Sequence, residues 1–362
     1  MKRVKIYGAG SIGNHLAHAA RTLGWSVAVC DLDPKALERM QRDIYPTRYG
    51  RWDEGITLST VAAAPRGGFD LICVGTPPDS HLPLALDALK EKPRAVLIEK
   101  PACPPSLEHA QELVDGARAA GTQLFVGYDH VVGGAAQRVE ALLAAGTVGE
   151  IRTIDVEFRE HWEGIFKAHP WLSGPADTYL GYWKRGGGAS GEHSHALNLW
   201  QHFAHLVGAG RVVETDALLT YRQEGAAHFD SLCCWNLRTE QGLAGRVVQD
   251  VVTRPSRKRA VLQGTEGNIE WINGHSPEGD AVIVHRPGQP STTELVPKKR
   301  PDDFIRELTH VAEHMESGKP SPISGERGLA TAVLVAAAHR SEAEGRRIKL
   351  DWSRGFTLEA LT

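Results

Sequence analysis

The chain of 362 residues is long enough for two domains, each burying its own core. Lys and Arg (41) nearly balance Asp and Glu (44), which excludes the basic field that nucleic acid needs. The five cysteines (Cys30, Cys73, Cys103, Cys233, Cys234) show no metal or redox spacing, and no apolar run approaches the ~20 residues of a membrane helix, so a cytoplasmic protein with neither nucleic acid nor membrane as partner is expected.

The opening run VKIY leads into Gly8-Ala9-Gly10-Ser11-Ile12-Gly13, and NHLAHAARTLG then has helical spacing. Gly8 allows a tight turn, Gly10 lets backbone approach a pyrophosphate, and Gly13 lets the helix pack on the strand. Ser11 and Ile12 belong to the same expected cofactor-binding turn. The next strand ends in VAVCDLDP, where Asp33-Pro34 is explained as a helix N-cap and first helical residue. That leaves Asp31 without a structural duty, free to accept from the adenosine ribose hydroxyls and to repel a 2′-phosphate. NAD is therefore expected over NADP, a preference that Arg39 and Arg42 soften.

After the strand LICV come Gly75, Thr76, Pro77, Pro78, Asp79, Ser80 and His81, at a strand end of the kind that lines a ligand crevice. Thr76, Pro77 and His81 are counted with the cofactor site; Asp79 or Ser80 would cap the next helix. The run Ala95–Ile98 ends in Glu99-Lys100, and Pro101 forbids continuation of the ladder. Lys100 would lie beside the nicotinamide, with Glu99 orienting or charge-balancing the amine. Partial burial and a positive ring both favour the uncharged amine, the form that takes up a proton.

QLFVGY is the last of five apolar runs that alternate with helical patterns, so residues 1–126 are expected to form a Rossmann dinucleotide-binding domain with a parallel sheet. From 127 to 362 the rhythm changes to long alternating strands, and an α+β domain with a large, mostly antiparallel sheet is expected. Its strands include residues 151–160, then 228–238 turning at Glu240-Gln241-Gly242 into GLAGRVVQDVV, and KRAVLQGTEGNIEWI turning at Thr265-Glu266-Gly267. The tail ERGLATAVLVAAAHRSEAEG reads as an Ala-rich helix.

Between these lies the loop HPWLSGPADTYLGYW, residues 169–183. Aromatic rings with one acid can cover the apolar face of a sugar while the carboxylate accepts from its hydroxyls, which makes Asp177, Tyr179 and Trp183 substrate candidates; packing alone would also explain the aromatics. Gly186 to Gly188 then precede a helix expected from about Ser194. His195, Asn198, His202 and His205 share one stripe of it, which by spacing alone reads as a solvated face. The histidine spacings match no zinc signature, so no metal is expected.

Taken together, GAGSIG, VCDLDP, GTPPDSH, Glu99-Lys100-Pro101, Val126-Gly127-Tyr128-Asp129-His130, the glycines before Glu192-His193-Ser194-His195 and the closing Gly-Leu-Ala helix resemble the glucose–fructose oxidoreductase / inositol dehydrogenase / MocA (Gfo/Idh/MocA) family over nearly the whole chain. The resemblance implies that Lys100 and His195 flank the substrate carbon that gives up hydride. Many relatives carry Asp four residues before this His and an acid three after it; here Glu192 lies three before and Asn198 three after. Glu192 is taken as the support of His195, and Asn198 as a residue that positions a hydroxyl. Asp129, where relatives often have Asn, joins the substrate candidates.

An NAD-dependent dehydrogenase or reductase acting on a secondary hydroxyl or ketone of a sugar, sugar derivative or cyclitol is expected, with Lys100, His195 and Glu192 as its catalytic residues. Relatives suggest a homodimer or homotetramer. Two alternatives remain open: an NAD-dependent redox-assisted glycosidase, and a catalytically silent NADH sensor, against which the intact Lys100 and His195 speak.

Overall fold

The computed structural model describes residues 1–167 and 171–362; the first two residues of the aromatic loop, His169 and Pro170, lie outside the described residues. By contacts the chain divides into two compact units. The first comprises Met1–Cys103, His109–Asp129 and Arg300–Gly328; the second comprises Pro104–Glu108, His130–Lys299 and Leu329–Thr362.

The first unit holds a six-stranded parallel sheet of β1 (Arg3–Tyr7), β2 (Ser26–Asp31), β3 (Ile56–Thr60), β4 (Leu71–Val74), β5 (Ala95–Ile98) and β6 (Gln123–Val126), in the order β3-β2-β1-β4-β5-β6. The runs VKIY, LICV and AVLI are buried along their whole length, as strands covered on both faces must be. Lys5 is the polar exception in β1. Its Nζ donates to both carboxylate oxygens of Glu91, at 2.6 and 2.7 Å, and both side chains are nearly inaccessible. Helix α1 (Ser11–Thr22) follows β1, and α2 (Pro34–Arg39) follows β2. Asp33 caps α2 by accepting from Lys35 N, and Pro34 is its first residue, as expected for that pair. Helix α3 (His81–Leu89) connects β4 to β5, and α4 (Ala110–Ala120) precedes β6. Strand order reverses between β2 and β4 on either side of β1, so the carboxyl ends of β1 and β4 flank a topological switch point, where such sheets bind ligands.

The second unit holds a nine-stranded sheet of β7 (Ile151–Arg159), β8 (Val212–Glu224), β9 (Ala227–Thr239), β10 (Ala244–Asp250), β11 (Arg257–Gly264), β12 (Asn268–Ser276), β13 (Gly279–His285), β14 (Thr292–Pro297) and β15 (Ile348–Lys349). Its order is β14-β13-β12-β11-β7-β10-β9-β8-β15, and among the described residues the strand pairings are antiparallel except β7 with β10. The hairpins β9–β10 and β11–β12 turn where their glycine-bearing turns were read. Helix α5 (Gly134–Ala144) packs on β12 and β13, and α6 (Ser194–Leu206) packs on β7 and β10. The indole of Trp200 on α6 donates to the Ile154 carbonyl at 2.8 Å, an approach that requires Gly245 in β10: a Cβ there would lie 2.0 Å from the same oxygen.

Two further helices complete the chain. Helix α7 (Asp302–Ser317) belongs to the first unit, where Phe304 stacks on His15 of α1 at 4.7 Å. Helix α8 (Gly325–Glu344) is the Ala-rich tail helix, and the division between units falls within it. Among the described residues, no helix is long and apolar enough to cross a membrane.

Candidate active site

The glycine turn after β1 has the shape its sequence requires. Gly8 has φ +102°, and a Cβ on it would sit 2.7 Å from the Gly75 carbonyl oxygen; one on Gly13 would sit 1.9 Å from the Gly8 carbonyl oxygen. Among the described residues nothing lies within 4 Å of a Cβ built on Gly10, so none of them fills the space above the second glycine. Asp31, half-buried at the end of β2, points back at this turn: its Oδ2 accepts from Ala9 N at 2.8 Å and its Oδ1 from Asp33 N at 2.9 Å. The assumption that Asp31 has no structural duty is therefore corrected, because its carboxylate ties the glycine turn to the end of β2. Leu32 beside it is 84 % exposed, a large apolar side chain presented to solvent next to the acid. Arg42 is paired with Glu38 at 2.7 Å on an exposed helix face.

One residue of this cradle escaped the sequence reading. Arg48, half-buried, donates to the Ser11 carbonyl at 3.0 Å and to Ser11 Oγ at 2.9 Å, which sets a guanidinium at the start of α1. It is 37 residues away in sequence and belongs to no motif. Turn, open glycine, acid at the neighbouring strand end and exposed leucine together fit an adenine dinucleotide.

His81 is wedged between the loops after β4 and β5, and its neutral ring donates to one of two facing carbonyls. Its Nε2 lies 2.6 Å from the Thr76 carbonyl oxygen and its Nδ1 3.0 Å from that of Pro101, and it is 1 % exposed. Burial outweighs these carbonyls and pulls the ring's pKa down to about 4. His81 thus supports the cradle from behind rather than lining it. Thr76 Oγ1 pairs with Ser80 Oγ at 2.7 Å, and Pro77 is exposed.

Lys100 stands two residues beyond β5, half-buried, while Glu99 beneath it is 5 % exposed. The Glu99 carboxyl lies against the α-carbon of Gly127, where a Cβ would come within 3.0 Å of it. Burial first, then the Asp129 carboxylate, pushes Glu99 up to about 8, with Lys100 pulling the other way. Glu307 of α7, 1 % exposed, is pushed up in the same direction by burial and by Glu99 and Asp129. Neither Glu307 carboxyl oxygen has a hydrogen-bond partner among the described residues. Sequence offered no signal for Glu307, since only the fold returns this helix to the first unit.

A stability prediction follows from the sign of these shifts. Both acids hold protons in the folded state that the unfolded chain has given up above the ordinary carboxylate range, so they cost stability as pH rises from about 4.5 toward 8. Glu307→Gln keeps the shape and removes the charge. Its melting temperature should exceed wild type near pH 8 and match it near pH 4.5. A loss of equal size at both values would show that the carboxyl itself is needed.

In the second unit, α6 begins at Ser194, where it was expected. Its supposed polar face is not solvated: Asn198 and His202 are 3 % and 5 % exposed, and only His205 of that stripe is open to solvent. Asn198 Nδ2 donates to Thr331 Oγ1 on α8 at 3.0 Å, so this amide joins two helices. His195 is half-buried, and the ring of His130, part of the quoted Val126–His130 motif but given no role there, stacks on it at 4.4 Å. His193 is 3 % exposed, and Glu192 is half-buried one residue before it. In the aromatic loop, Asp177 is exposed and accepts from Ser173 N at 2.7 Å. Tyr179 packs against the apolar cluster of Trp162, Leu180 and Phe229, and Trp183 stacks on His339 at 4.3 Å.

Two family models match the chain: GFO_IDH_MocA, the oxidoreductase family's NAD-binding Rossmann fold, over residues 2–128, and that family's C-terminal alpha/beta domain over residues 140–350. The chain belongs to the Gfo/Idh/MocA oxidoreductase family. Like the family, it has an NAD-binding domain and is an NAD-dependent oxidoreductase. A D-apiose dehydrogenase from Rhizobium rhizogenes is 25 % identical over 367 aligned positions, covering 95 % of this chain and 96 % of that one. An oxidoreductase from Agrobacterium radiobacter, solved with NAD+, L-tartaric acid and magnesium, is 24 % identical with a TM-score of 0.76, covering 96 % of this chain and 98 % of that one. A levoglucosan dehydrogenase solved with NADH and levoglucosan is 16 % identical with a TM-score of 0.77, covering 96 % of this chain and 99 % of that one. These likenesses confirm the Rossmann and C-terminal folds of this family member.

Proposed function

We propose that this protein is an NAD-dependent dehydrogenase that oxidises a secondary hydroxyl of a sugar, sugar derivative or cyclitol, or reduces the matching ketone. The observation that carries the reading is Lys100, set just beyond β5 while the glycine turn and Asp31 stand at the ends of β1 and β2 of the same sheet. Support for the substrate class comes from the relatives, which include dehydrogenases of D-apiose and of levoglucosan. NAD, when bound, supplies the hydride acceptor. Lys100 and His195 move the hydroxyl proton, Glu192 supports His195, and Asp177, Tyr179, Trp183 and Asp129 face the substrate. Asn198, already engaged with Thr331, acts through helix position.

The reading is tested by assaying a panel of sugars, sugar acids, nucleotide sugars and cyclitols for NADH formation. A member of the panel should reduce NAD. Sugar release without net NADH would replace the reading with a redox-assisted glycosidase. Asp31 should also set cofactor choice, since a carboxylate accepts from ribose hydroxyls and repels a 2′-phosphate. Wild type should bind NADH more tightly than NADPH by about tenfold or more, and Asp31→Ala should narrow the gap. Equal wild-type affinities would remove Asp31 from the site.

A further inference from the structure

The second unit contains a buried polar chain unrelated to any expectation from sequence. Asp230 of β9 and Ser190 are both fully buried; Ser190 N donates to Asp230 Oδ2 at 2.7 Å, and Ser190 Oγ lies 3.1 Å from Oδ1. The same Oγ lies 3.1 Å from Nε2 of His339 on α8, and His339 Nδ1 lies 2.6 Å from the hydroxyl of Tyr221 on β8. The chain Asp230–Ser190–His339–Tyr221 grips the glycine cluster. Gly188 has φ +77°, and a Cβ on it would sit 1.9 Å from Asp230 Oδ1. From the other side, Gln249 Nε2 donates to the Ala189 and Ser190 carbonyls at 2.9 and 3.3 Å. The helical turn Gly188–Glu192 held in this way runs directly into α6 and His195.

We propose that Asp230 is a positioning residue for the His195 segment, acting through this chain, which has two complete proton arrangements. With Asp230 ionised, Ser190 Oγ–H donates to Oδ1, His339 Nε2–H donates to Ser190 Oγ, and the Tyr221 hydroxyl donates to His339 Nδ1. With Asp230 protonated, the carboxyl donates to Ser190 Oγ, Ser190 donates to His339 Nε2, and His339 Nδ1–H donates to Tyr221. Each arrangement satisfies all three contacts with a neutral imidazole. They differ by one proton, gained at Asp230, and by the tautomer of His339. In the ionised form the bonds to the Ser190 N–H and Oγ–H are charge-assisted and hold the turn more firmly.

Burial raises Asp230 to about 7, against the donors of Ser190 and Ala189, while burial pulls His339 down to about 3, so the ring stays neutral throughout. The other titratable groups facing the chain are Tyr221 on β8, Cys233 on β9, Glu342 on α8 and His228 on β9, whose ring lies 5.5 Å from that of Tyr221. Burial holds both the tyrosine and the thiol well above neutrality, and the Glu342 carboxylate accepts from Leu219 N at 2.8 Å. Asp230 is thus the member of the chain that changes charge near neutral pH.

The role in turnover rests on His195 acting as proposed above; the two arrangements do not, and one experiment separates them. The full-length protein is labelled with ¹⁵N-histidine, and the signal of His339, one of 17 histidines, is assigned through His339→Gln. His339 should carry its proton on Nε2 at about pH 8.5 and on Nδ1 at about pH 5.5. Asp230→Asn should hold the Nδ1–H form at both, because the amide donates to Ser190 Oγ as the protonated acid does, and Ser190→Ala should abolish the exchange. One tautomer at both pH values in wild type, or an exchange that persists in Asp230→Asn, would overturn the proposal. With a substrate in hand, Asp230→Asn should lower kcat about tenfold while NADH affinity is kept, and an unchanged kcat would refute the positioning role alone.

Discussion

Lys100→Met should abolish measurable turnover, a loss of about 10²- to 10⁴-fold in kcat, while NADH binding stays within about tenfold of wild type. Methionine keeps the length of the side chain and removes the amine, so the variant tests the proton and not the packing. Lys100 is half-buried beyond the end of β5, and the carboxyl of Glu99 lies beneath it against Gly127. Glu99, raised to about 8, is a weaker counter-charge at neutral pH than an ordinary glutamate. NADH fluorescence titration gives the binding arm and NADH absorbance the rate. Unchanged turnover would make Lys100 a structural strand-end residue, and a large loss of NADH affinity would place it on the cofactor instead of the hydroxyl proton.

His195→Asn should lower kcat/KM by roughly 10²-fold or more with cofactor affinity near wild type. If the ring takes the hydroxyl proton during oxidation, it must be neutral in the free enzyme, so wild-type activity falls on the acid side and that limb becomes shallower in the variant. The structure adds a reason to look at His130, whose ring stacks on His195 at 4.4 Å: His130→Ala removes a wall of the imidazole's position without removing the base. His193→Asn is the internal control. His193 is 3 % exposed, so its loss should register in melting temperature rather than in the kcat of the folded fraction. A larger kcat loss for His193→Asn than for His195→Asn would move the proposed base to His193.

The elements legible in the chain were those whose pattern is local. Four apolar residues in AVLI, stopped by Glu99-Lys100-Pro101, read as a buried strand, and Gly8, Gly10 and Gly13 report a turn through their spacing between a strand and a helix. The hairpins at Glu240-Gln241-Gly242 and Thr265-Glu266-Gly267, and the start of α6 at Ser194, are likewise set within a few residues. The family too was legible, because it is carried by such local motifs.

What the sequence could not decide was burial, and with it the state of every titratable group. Asp31 looked idle until the fold brought Ala9 N within 2.8 Å of it, and Asn198 and His202 looked solvated until α6 proved to be covered on that stripe. Glu307 lies 208 residues from Glu99 in the chain and shares its buried surroundings only because α7 folds back into the first unit. Asp230, Ser190, His339 and Tyr221 come from two strands, a turn and a helix, and nothing in their spacing announces one hydrogen-bonded chain. A short motif encodes backbone conformation, because dihedral preferences act between neighbours; desolvation and charge coupling depend on which distant elements close over a side chain, and only the tertiary structure decides that.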